Sequence, residues 1–169
     1  KNVKNVLGTF YTADEVYTCP ELLLTISEED WKNGLAELIK ISLLSKTKLY
    51  DILINQSKEL SSINRSESIN CLKQKEILVQ AIKIKYDFCK GDLYDRKQRR
   101  YLNLGHTFAH VIEAATDYEI PHGIAVSIGI RAAVKLSLEY GFCTKGVYES
   151  VNGILDLNEF PKRLDEKHH

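Results

Sequence analysis

The residue types best suited to chemistry cluster in residues 99–123, RRYLNLGHTFAHVIEAATDYEIPHG. The periodicity predicts a helix over residues 99–116, in which side chains three and four positions apart are neighbours on one face. Five polar residues then share a single stripe: Arg99, Asn103, His106, His110 and Glu113. The rest of the helix is largely apolar, and buried polar groups cost free energy unless they have partners. The pattern therefore predicts a site along the stripe.

Three of the chain's five histidines lie in this segment. His106 and His110 are about one helical turn apart, so that either both would bind one metal, or one would bind it while the other transfers protons. His122 follows a proline and begins the next predicted helix, and the short loop before it lets it fold back against the stripe. Single histidines on helices are more often structural, so the spacing leaves open both a metal site and structural histidines.

Other charged residues give weaker signals. Glu37 and Lys40 are three positions apart on a predicted helix, and the pattern favours an exposed ion pair worth only about 0.3–0.5 kcal/mol. Lys85, Lys4 and Asn5, each judged alone, are typical of solvated surface residues.

The elements that must position these residues are mostly helical. Residues 8–12 and 21–25 are typical of strands and turns, whereas helices are predicted over residues 27–54, 68–88, 99–116, 122–140 and 146–154. Ser27 is the expected N-cap of the first helix, Gly141 the residue that ends the fourth, and the serine-rich residues 56–67 an expected loop. We therefore predict a mainly α fold, a helical bundle with a short extended N-terminal piece.

The composition narrows the classes of function. The 169 residues carry 23 basic and 23 acidic side chains, which argues against a role on nucleic acids or membrane surfaces. Four cysteines form no Cys-x-x-Cys pair, and no apolar run is long enough to span a bilayer. We expect a cytoplasmic protein. Because the chain starts at Lys1, lacks methionine and ends in two histidines, we also expect it to be part of a longer protein.

Four segments together resemble one known family, the 3-dehydroquinate synthases. They are KNVLGTFY at 4–11, GLAELIK at 34–40, LNLGHTFAHVIE at 102–113 and the His-Gly helix start at 122–123. All four occur in the family's order and spacing, and the resemblance covers residues 4 to about 162. It implies the helical C-terminal domain of an α/β plus α protein, with residues 1–26 as the end of the nucleotide-binding domain or an interdomain segment, 27–162 as the metal- and substrate-binding domain, and 163–169 as a tail.

The resemblance also implies a metal centre. The family's zinc ligands, one glutamate and two histidines, match Glu37, His106 and His122. Three protein ligands with one open position are typical of catalytic zinc. Cobalt or another divalent metal would also suit this donor set.

The implied reaction converts 3-deoxy-D-arabino-heptulosonate 7-phosphate to 3-dehydroquinate and phosphate, by NAD-cycled oxidation, phosphate elimination, reduction and intramolecular aldol closure. The implied partners are this small sugar-phosphate acid and, as in the family, a second copy in a homodimer. Catalytic or substrate-contacting roles fall on His110, Lys40, Lys85, Arg99 and Asn103. The positions that match the NAD-bordering segments are Lys4, Asn5, Leu22, Leu23, Leu24 and Thr25. The domain that holds most of the NAD site in the family is not among these residues, so the chain alone is expected to be inactive.

Two departures and two alternatives remain. Ala109 stands where the family usually has glycine, and Ile124 stands where it usually has glutamate, next to a predicted zinc ligand. The same motifs would suit another sugar-phosphate cyclase, such as 2-deoxy-scyllo-inosose synthase, whereas iron-dependent alcohol and glycerol dehydrogenases match them less well. An inactive helical homologue is the second alternative.

Overall fold

A computed structural model of the chain describes residue 11 and residues 13–45, 47–61, 64–74, 76–92 and 94–164. These residues contain helices and no strand. The mainly α prediction is confirmed. The α-helices are α1 (Glu28–Leu43), α2 (Leu49–Asn55), α3 (Ser57–Leu60), α4 (Arg65–Gln74), α5 (Ile77–Cys89), α6 (His106–Ala115), α7 (His122–Glu139) and α8 (Lys145–Leu157), and two 3₁₀ helices span Pro20–Thr25 and Gln98–Asn103.

Helix α7 lies at the centre of the bundle and packs against α1, α6 and α8. The buried residues of α7 are mostly small or β-branched, and α1 and α6 pack against this helix. Helix α1 buries an apolar face of its own, which includes Trp31, Leu35 and Ile39. The core side chains with almost no exposure include Leu35, Ile39, Val126, Ile130 and Ile154. The bundle thus packs both α1 and α6 against α7, and these three helices carry the predicted metal ligands.

The start of α1 follows the expected capping chemistry. The Ser27 hydroxyl accepts the Asp30 N–H at 3.0 Å, and acidic residues occupy the first turn, where they favour the positive end of the helix dipole. Helix α1 ends at Leu43, so the predicted single helix over 27–54 is wrong. The hydroxyls of Ser45 and Thr47 lie 2.9 Å apart, and Thr47 accepts the Leu49 N–H, which offers the backbone an alternative to helix.

The serine-rich loop expected at 56–67 is also wrong. Helix α3 lies in this stretch and α4 begins there, because Leu60 is fully buried and its carbonyl accepts the indole N–H of Trp31 at 2.8 Å. The predicted helix over 68–88 is divided between α4 and α5 at Glu76, whose φ of 50° is left-handed.

The predicted helix over 99–116 breaks at Gly105. Residues Gln98–Asn103 form a 3₁₀ helix, and Gly105 turns the chain with φ of 78° before α6 begins at His106. The turn lies directly against α7, where a side chain on Gly129 would overlap the Gly105 carbonyl. Only His106, His110 and Glu113 therefore share one helix, and the five-residue stripe does not exist as such.

The N-terminal part of the described region differs from the prediction. Residues 21–25, expected to be extended, belong to the 3₁₀ helix Pro20–Thr25, which begins with proline, a residue suited to the first position of a helix. The strand expected at residues 8–12 lies almost wholly outside the described residues. Gly141 follows α7 with φ of 73°, as expected. Among the described residues, no helix has the length and apolar character needed to cross a bilayer.

Candidate metal centre

Glu37 on α1 directs its two carboxylate oxygens to different neighbours. Oε2 pairs with the Lys40 ammonium at 2.6 Å, and Lys40 is only 4% exposed. The predicted ion pair therefore exists, but the prediction that it is exposed is wrong, because Lys40 is buried. Oε1 is buried and has no hydrogen-bond partner among the described residues. Such an oxygen costs free energy unless something binds it.

Two imidazoles face this oxygen. The Nε2 atoms of His106 and His122 lie 3.6 and 3.5 Å from Glu37 Oε1. One ligand atom from each of the three residues falls within 4.8 Å of the others. Ligand atoms around one tetrahedral zinc are about 3.3 Å apart, given metal–ligand distances of about 2.0–2.2 Å. The donor set, its spacing and the unsatisfied oxygen fit a divalent metal.

The second ring nitrogen of each histidine is also close to an oxygen. His106 Nδ1 lies 3.3 Å from the Leu104 carbonyl, and His122 Nδ1 lies 3.1 Å from Glu113 Oε1. Burial lowers the pKa of His106, the Lys40 ammonium lowers it further, and these effects outweigh the Leu104 carbonyl and the Glu37 carboxylate, which raise it. His106 is thus biased toward the neutral imidazole, the form that binds metal.

Close helix contacts bring the three residues together. The Gly123 N–H donates to Asn33 Oδ1 at 2.6 Å, so that α1 supplies a capping group to the start of α7. A β-carbon on Gly123 would lie 2.5 Å from the Asn33 Cα atom. Glycine next to His122 therefore lets α1 and α7 approach closely enough for Glu37 to meet the histidine.

Comparison with known proteins agrees with this arrangement. Residues 34–169 match the family model described as the C-terminal domain of 3-dehydroquinate synthase. The chain belongs to this family. The resemblance seen in the sequence is thereby confirmed.

Curated relatives in the family carry the name 3-dehydroquinate synthase. The protein of Sulfurisphaera tokodaii is 36% identical over 166 residues, which is 98% of this chain and 46% of the relative. That of Chlamydia pneumoniae is 37% identical over 167 residues, 98% of this chain and 42% of the relative. The chain thus spans slightly less than half the length of these relatives.

A solved structure shares the helical fold. It is 2-epi-5-epi-valiolone synthase from Streptomyces hygroscopicus subsp. jinggangensis 5008, with NAD⁺ and Zn²⁺ bound. The two are 25% identical with a TM-score of 0.72, over 86% of this chain and 39% of the other.

His110, Arg99, Asn103 and Lys85, which match other residues of the family's site, are not members of the three-residue cluster. The exposed His110 sits edge-on to His106 with ring centroids 5.6 Å apart, outside the ligand cluster. Arg99 and Asn103 lie on the 3₁₀ helix before α6, where Asn103 Nδ2 donates to Asp95 Oδ2 at 3.0 Å. Lys85 is exposed on α5. The functions of these residues stay predictions.

Of the residues matched to the NAD-bordering segments, those at positions 22–25 are described by the structure. Leu22 and Leu24 expose 71% and 47% of their surface on the first 3₁₀ helix, whereas Leu23 packs against the core. Thr25 is exposed, and its hydroxyl donates to the Leu22 carbonyl. Lys4 and Asn5 lie outside the described residues.

The two departures from the family pattern have local explanations. Ala109 is fully buried, and its added methyl is accommodated where α6 meets α7. Ile124 is half-buried and packs against the hydrophobic core. The carboxylate beside His122 comes from Glu113, on the neighbouring helix.

Sequence reasoning missed two supporting residues. Asn33 carries no recognisable signal, because its capping partner is distant in the chain. Asp92 is buried, and its carboxylate accepts the backbone N–H groups of Arg96, Lys97 and Arg99 at 2.8–3.0 Å. This contact holds the start of the segment that carries Arg99.

Clefts open on different parts of the described bundle. One of about 370 Å³ opens beside His122 and is lined by Glu29, Glu113 and Asp117, among others. A larger one, about 700 Å³, lies between α2, α7 and α8 and contains none of the three clustered residues. The donor cluster therefore lies away from the larger of these two clefts.

Proposed function

We propose that this chain is the metal- and substrate-binding part of a 3-dehydroquinate synthase. The whole enzyme would convert 3-deoxy-D-arabino-heptulosonate 7-phosphate to 3-dehydroquinate and phosphate, by NAD-cycled oxidation, phosphate elimination, reduction and intramolecular aldol closure. The observation that carries the proposal is the convergence of one carboxylate oxygen and two imidazole nitrogens within 4.8 Å. The identity of 36–37% to proteins of this name, over nearly the whole chain, supports it.

Zinc is the proposed metal, held by Glu37, His106 and His122, and cobalt would also suit the donor set. When bound, zinc supplies Lewis-acid stabilisation of negative charge on substrate oxygens. Lys40 keeps Glu37 Oε2 engaged, which leaves Oε1 directed at the histidines. The solved relative with Zn²⁺ bound supports this choice of metal.

The substrate carries a carboxylate and a phosphate, and cationic side chains would bind them. Arg99 suits either anion through two parallel hydrogen bonds, and the exposed Lys85 would act as a point charge. Lys40, buried and paired with Glu37, would act on the substrate through its positive charge rather than through direct contact. Asn103 offers both a donor and an acceptor for substrate hydroxyls. His110, exposed and edge-on to His106, would exchange protons with substrate from the solvent side.

The NAD-bordering role is proposed for Lys4, Asn5 and the residues Leu22, Leu23, Leu24 and Thr25. The exposed Leu22 and Leu24 side chains offer apolar surface next to α1, and the solved relative contains NAD⁺. The proposed domains are residues 1–26 as the end of the nucleotide-binding domain or an interdomain segment, residues 27–162 as the metal- and substrate-binding domain, and residues 163–169 as a tail. Because the larger part of an NAD site would have to come from elsewhere, we expect no turnover by this chain alone.

We also propose a homodimer in the cytoplasm. Sedimentation equilibrium of the complete gene product tests the first proposal, and cell fractionation tests the second. A monomer in the micromolar range, or recovery outside the cytoplasmic fraction, would contradict them.

A second candidate is another sugar-phosphate cyclase. The fold similarity to 2-epi-5-epi-valiolone synthase favours this class, but the 25% identity is lower than the 36–37% to the curated 3-dehydroquinate synthases. Phosphate release by the complete gene product decides between the two. We expect release from 3-deoxy-D-arabino-heptulosonate 7-phosphate; release only from another sugar phosphate would favour the second candidate, and release from none would favour an inactive homologue.

Metal binding by the chain itself is the first experiment. We expect one zinc per chain by elemental analysis, lost in Glu37→Ala and His122→Ala. Glu29→Ala is the matched control, because it removes an exposed carboxylate from the same helix. Zinc retained in the first two variants would contradict the proposed ligands.

A further inference from the structure

Each histidine of the cluster uses its two ring nitrogens differently. The Nδ1 atoms face oxygen acceptors, the Leu104 carbonyl for His106 and Glu113 Oε1 for His122. The Nε2 atoms face Glu37 Oε1. A neutral imidazole has one N–H and one lone pair, and in both histidines the oxygen at Nδ1 (3.3 and 3.1 Å) is closer than Glu37 Oε1 is to Nε2 (3.6 and 3.5 Å). The shorter contact favours the proton on Nδ1, which leaves the Nε2 lone pair for a metal.

The two acceptors differ in kind. The Leu104 carbonyl belongs to the turn that precedes His106, so its position follows from the backbone. Glu113 is a side chain that reaches from α6 to α7 and is only 3% exposed. Burying a carboxylate is costly unless it is hydrogen-bonded or paired. The contact with His122, at 3.1 Å, is one interaction that offsets this cost.

We propose that Glu113 is the positioning residue of the metal centre. Its carboxylate accepts the Nδ1–H of His122 and holds the ring in the tautomer and orientation that present Nε2 to the metal. The inference rests on the proposed metal site, but the hydrogen bond itself can be tested in the metal-free chain. Helix α6 thus supplies one ligand, His106, and orients the ligand on α7.

Nothing next to His122 in the chain does the same. Pro121 lacks an N–H and has no polar side chain, Gly123 has none, and Ile124 packs against the core. His122 is itself about one-third exposed, and without Glu113 the longer 3.5 Å contact from Nε2 to Glu37 Oε1 would be left to hold its ring. Glu113 therefore determines the state of this histidine.

The first test measures the tautomer of His122 by ¹⁵N NMR of the metal-free chain, at a pH well above the ordinary histidine pKa of about 6.5. The signals are assigned with His122→Ala. Glu113→Met removes the acceptor at similar volume, whereas Glu113→Gln keeps an acceptor oxygen without charge. We expect the Nδ1–H tautomer in the unmodified chain and in Glu113→Gln, and a shift toward Nε2–H in Glu113→Met.

The second test measures zinc affinity by chelator competition and the Co²⁺ absorption spectrum. Loss of a group that orients a ligand typically weakens metal binding about 10–100-fold. We expect this loss in Glu113→Met, with most of the affinity retained in Glu113→Gln. Asp117→Asn is the matched control, since Asp117 lines the same cleft and an asparagine tolerates its left-handed φ of 48°.

The results separate the inference from the proposed function. An unchanged tautomer and unchanged zinc affinity in Glu113→Met would overturn the positioning role while leaving the metal site intact. Equal weakening in Glu113→Gln and Glu113→Met, with the tautomer unchanged, would also overturn it, because charge rather than the hydrogen bond would then matter. If neither the unmodified chain nor any variant bound metal, the proposed metal site would fail, and the tautomer measurement would still decide whether Glu113 orients His122.

Discussion

Replacing Gly123 by alanine should weaken metal binding without touching a predicted ligand. The new β-carbon would lie 2.5 Å from Asn33 Cα and 2.9 Å from Asn33 Oδ1. Reaching an ordinary contact of 3.4 Å requires α1 and α7 to separate by about 0.9 Å. Metal sites tolerate about 0.2 Å in ligand distance, so we expect zinc affinity to fall at least ~10-fold.

Gly123→Ala should also lower the free energy of unfolding. Overpacking costs about 1–3 kcal/mol, and this contact with backbone atoms belongs at the upper end, whereas the better helix propensity of alanine returns about 1 kcal/mol. We expect a net loss of about 2 kcal/mol in urea unfolding.

Gly34→Ala is the matched control for this prediction. It lies on α1 directly after Asn33, and its β-carbon would have nothing within 4 Å. We expect a gain of up to about 1 kcal/mol in stability and unchanged zinc affinity. The reasoning would be refuted if Gly123→Ala bound zinc as tightly as the unmodified chain, or if Gly34→Ala weakened zinc binding equally.

Two further changes test supporting contacts. Burial raises the pKa of Asp92, but three backbone N–H groups and the Lys97 ammonium lower it by more, so the pKa in the folded state lies below its ordinary value. The Asp92 carboxylate therefore contributes fully to the free energy of unfolding above the unfolded pKa of about 3.9, and this contribution is lost as the pH falls through the lower folded pKa. Asp92→Asn should remove this part of the acid dependence in unfolding measured against pH, and an unchanged profile would contradict the argument. The buried Arg131 on α7 donates to Asp156 Oδ1 at 2.7 Å and to the carbonyls of Phe160 and Pro161, which follow α8. Arg131→Met should cost about 1–3 kcal/mol in urea unfolding, chiefly because these carbonyls lose their donor, since Asp156 is 39% exposed and keeps Lys162 at 3.2 Å. An unchanged free energy of unfolding would show that these contacts contribute little.

Local chemistry made part of the fold predictable. Ser27 and Gly141 act within one turn of their own position, so their capping roles follow from residue type and neighbours. The breaks in the predicted helices depend on more distant contacts. Leu60 folds under α1 because it meets Trp31, and no periodicity in residues 56–67 shows that partner.

In the site, too, local sequence patterns predicted some features, whereas others depend on contacts between distant residues. The spacing of His106 and His110 left open whether both bind a metal or one binds it while the other transfers protons; the structure turns Nε2 of His106 toward Glu37 and leaves His110 exposed. A glycine inside a helical pattern was the available signal for the break at Gly105. The meeting of Glu37 with His122 depends on how α1 crosses α7, which residue spacing cannot express; family resemblance alone pointed to it.

The contact between Trp31 and Leu60 has a practical consequence. Trp31 is the chain's single tryptophan, 8% exposed, and its indole N–H is bound to a carbonyl in α3. Its fluorescence therefore reports one defined junction, and emission should shift to longer wavelength when α3 detaches from α1. Since Glu37 lies on the same helix, the chain carries an intrinsic optical probe of the element that supplies its proposed carboxylate ligand.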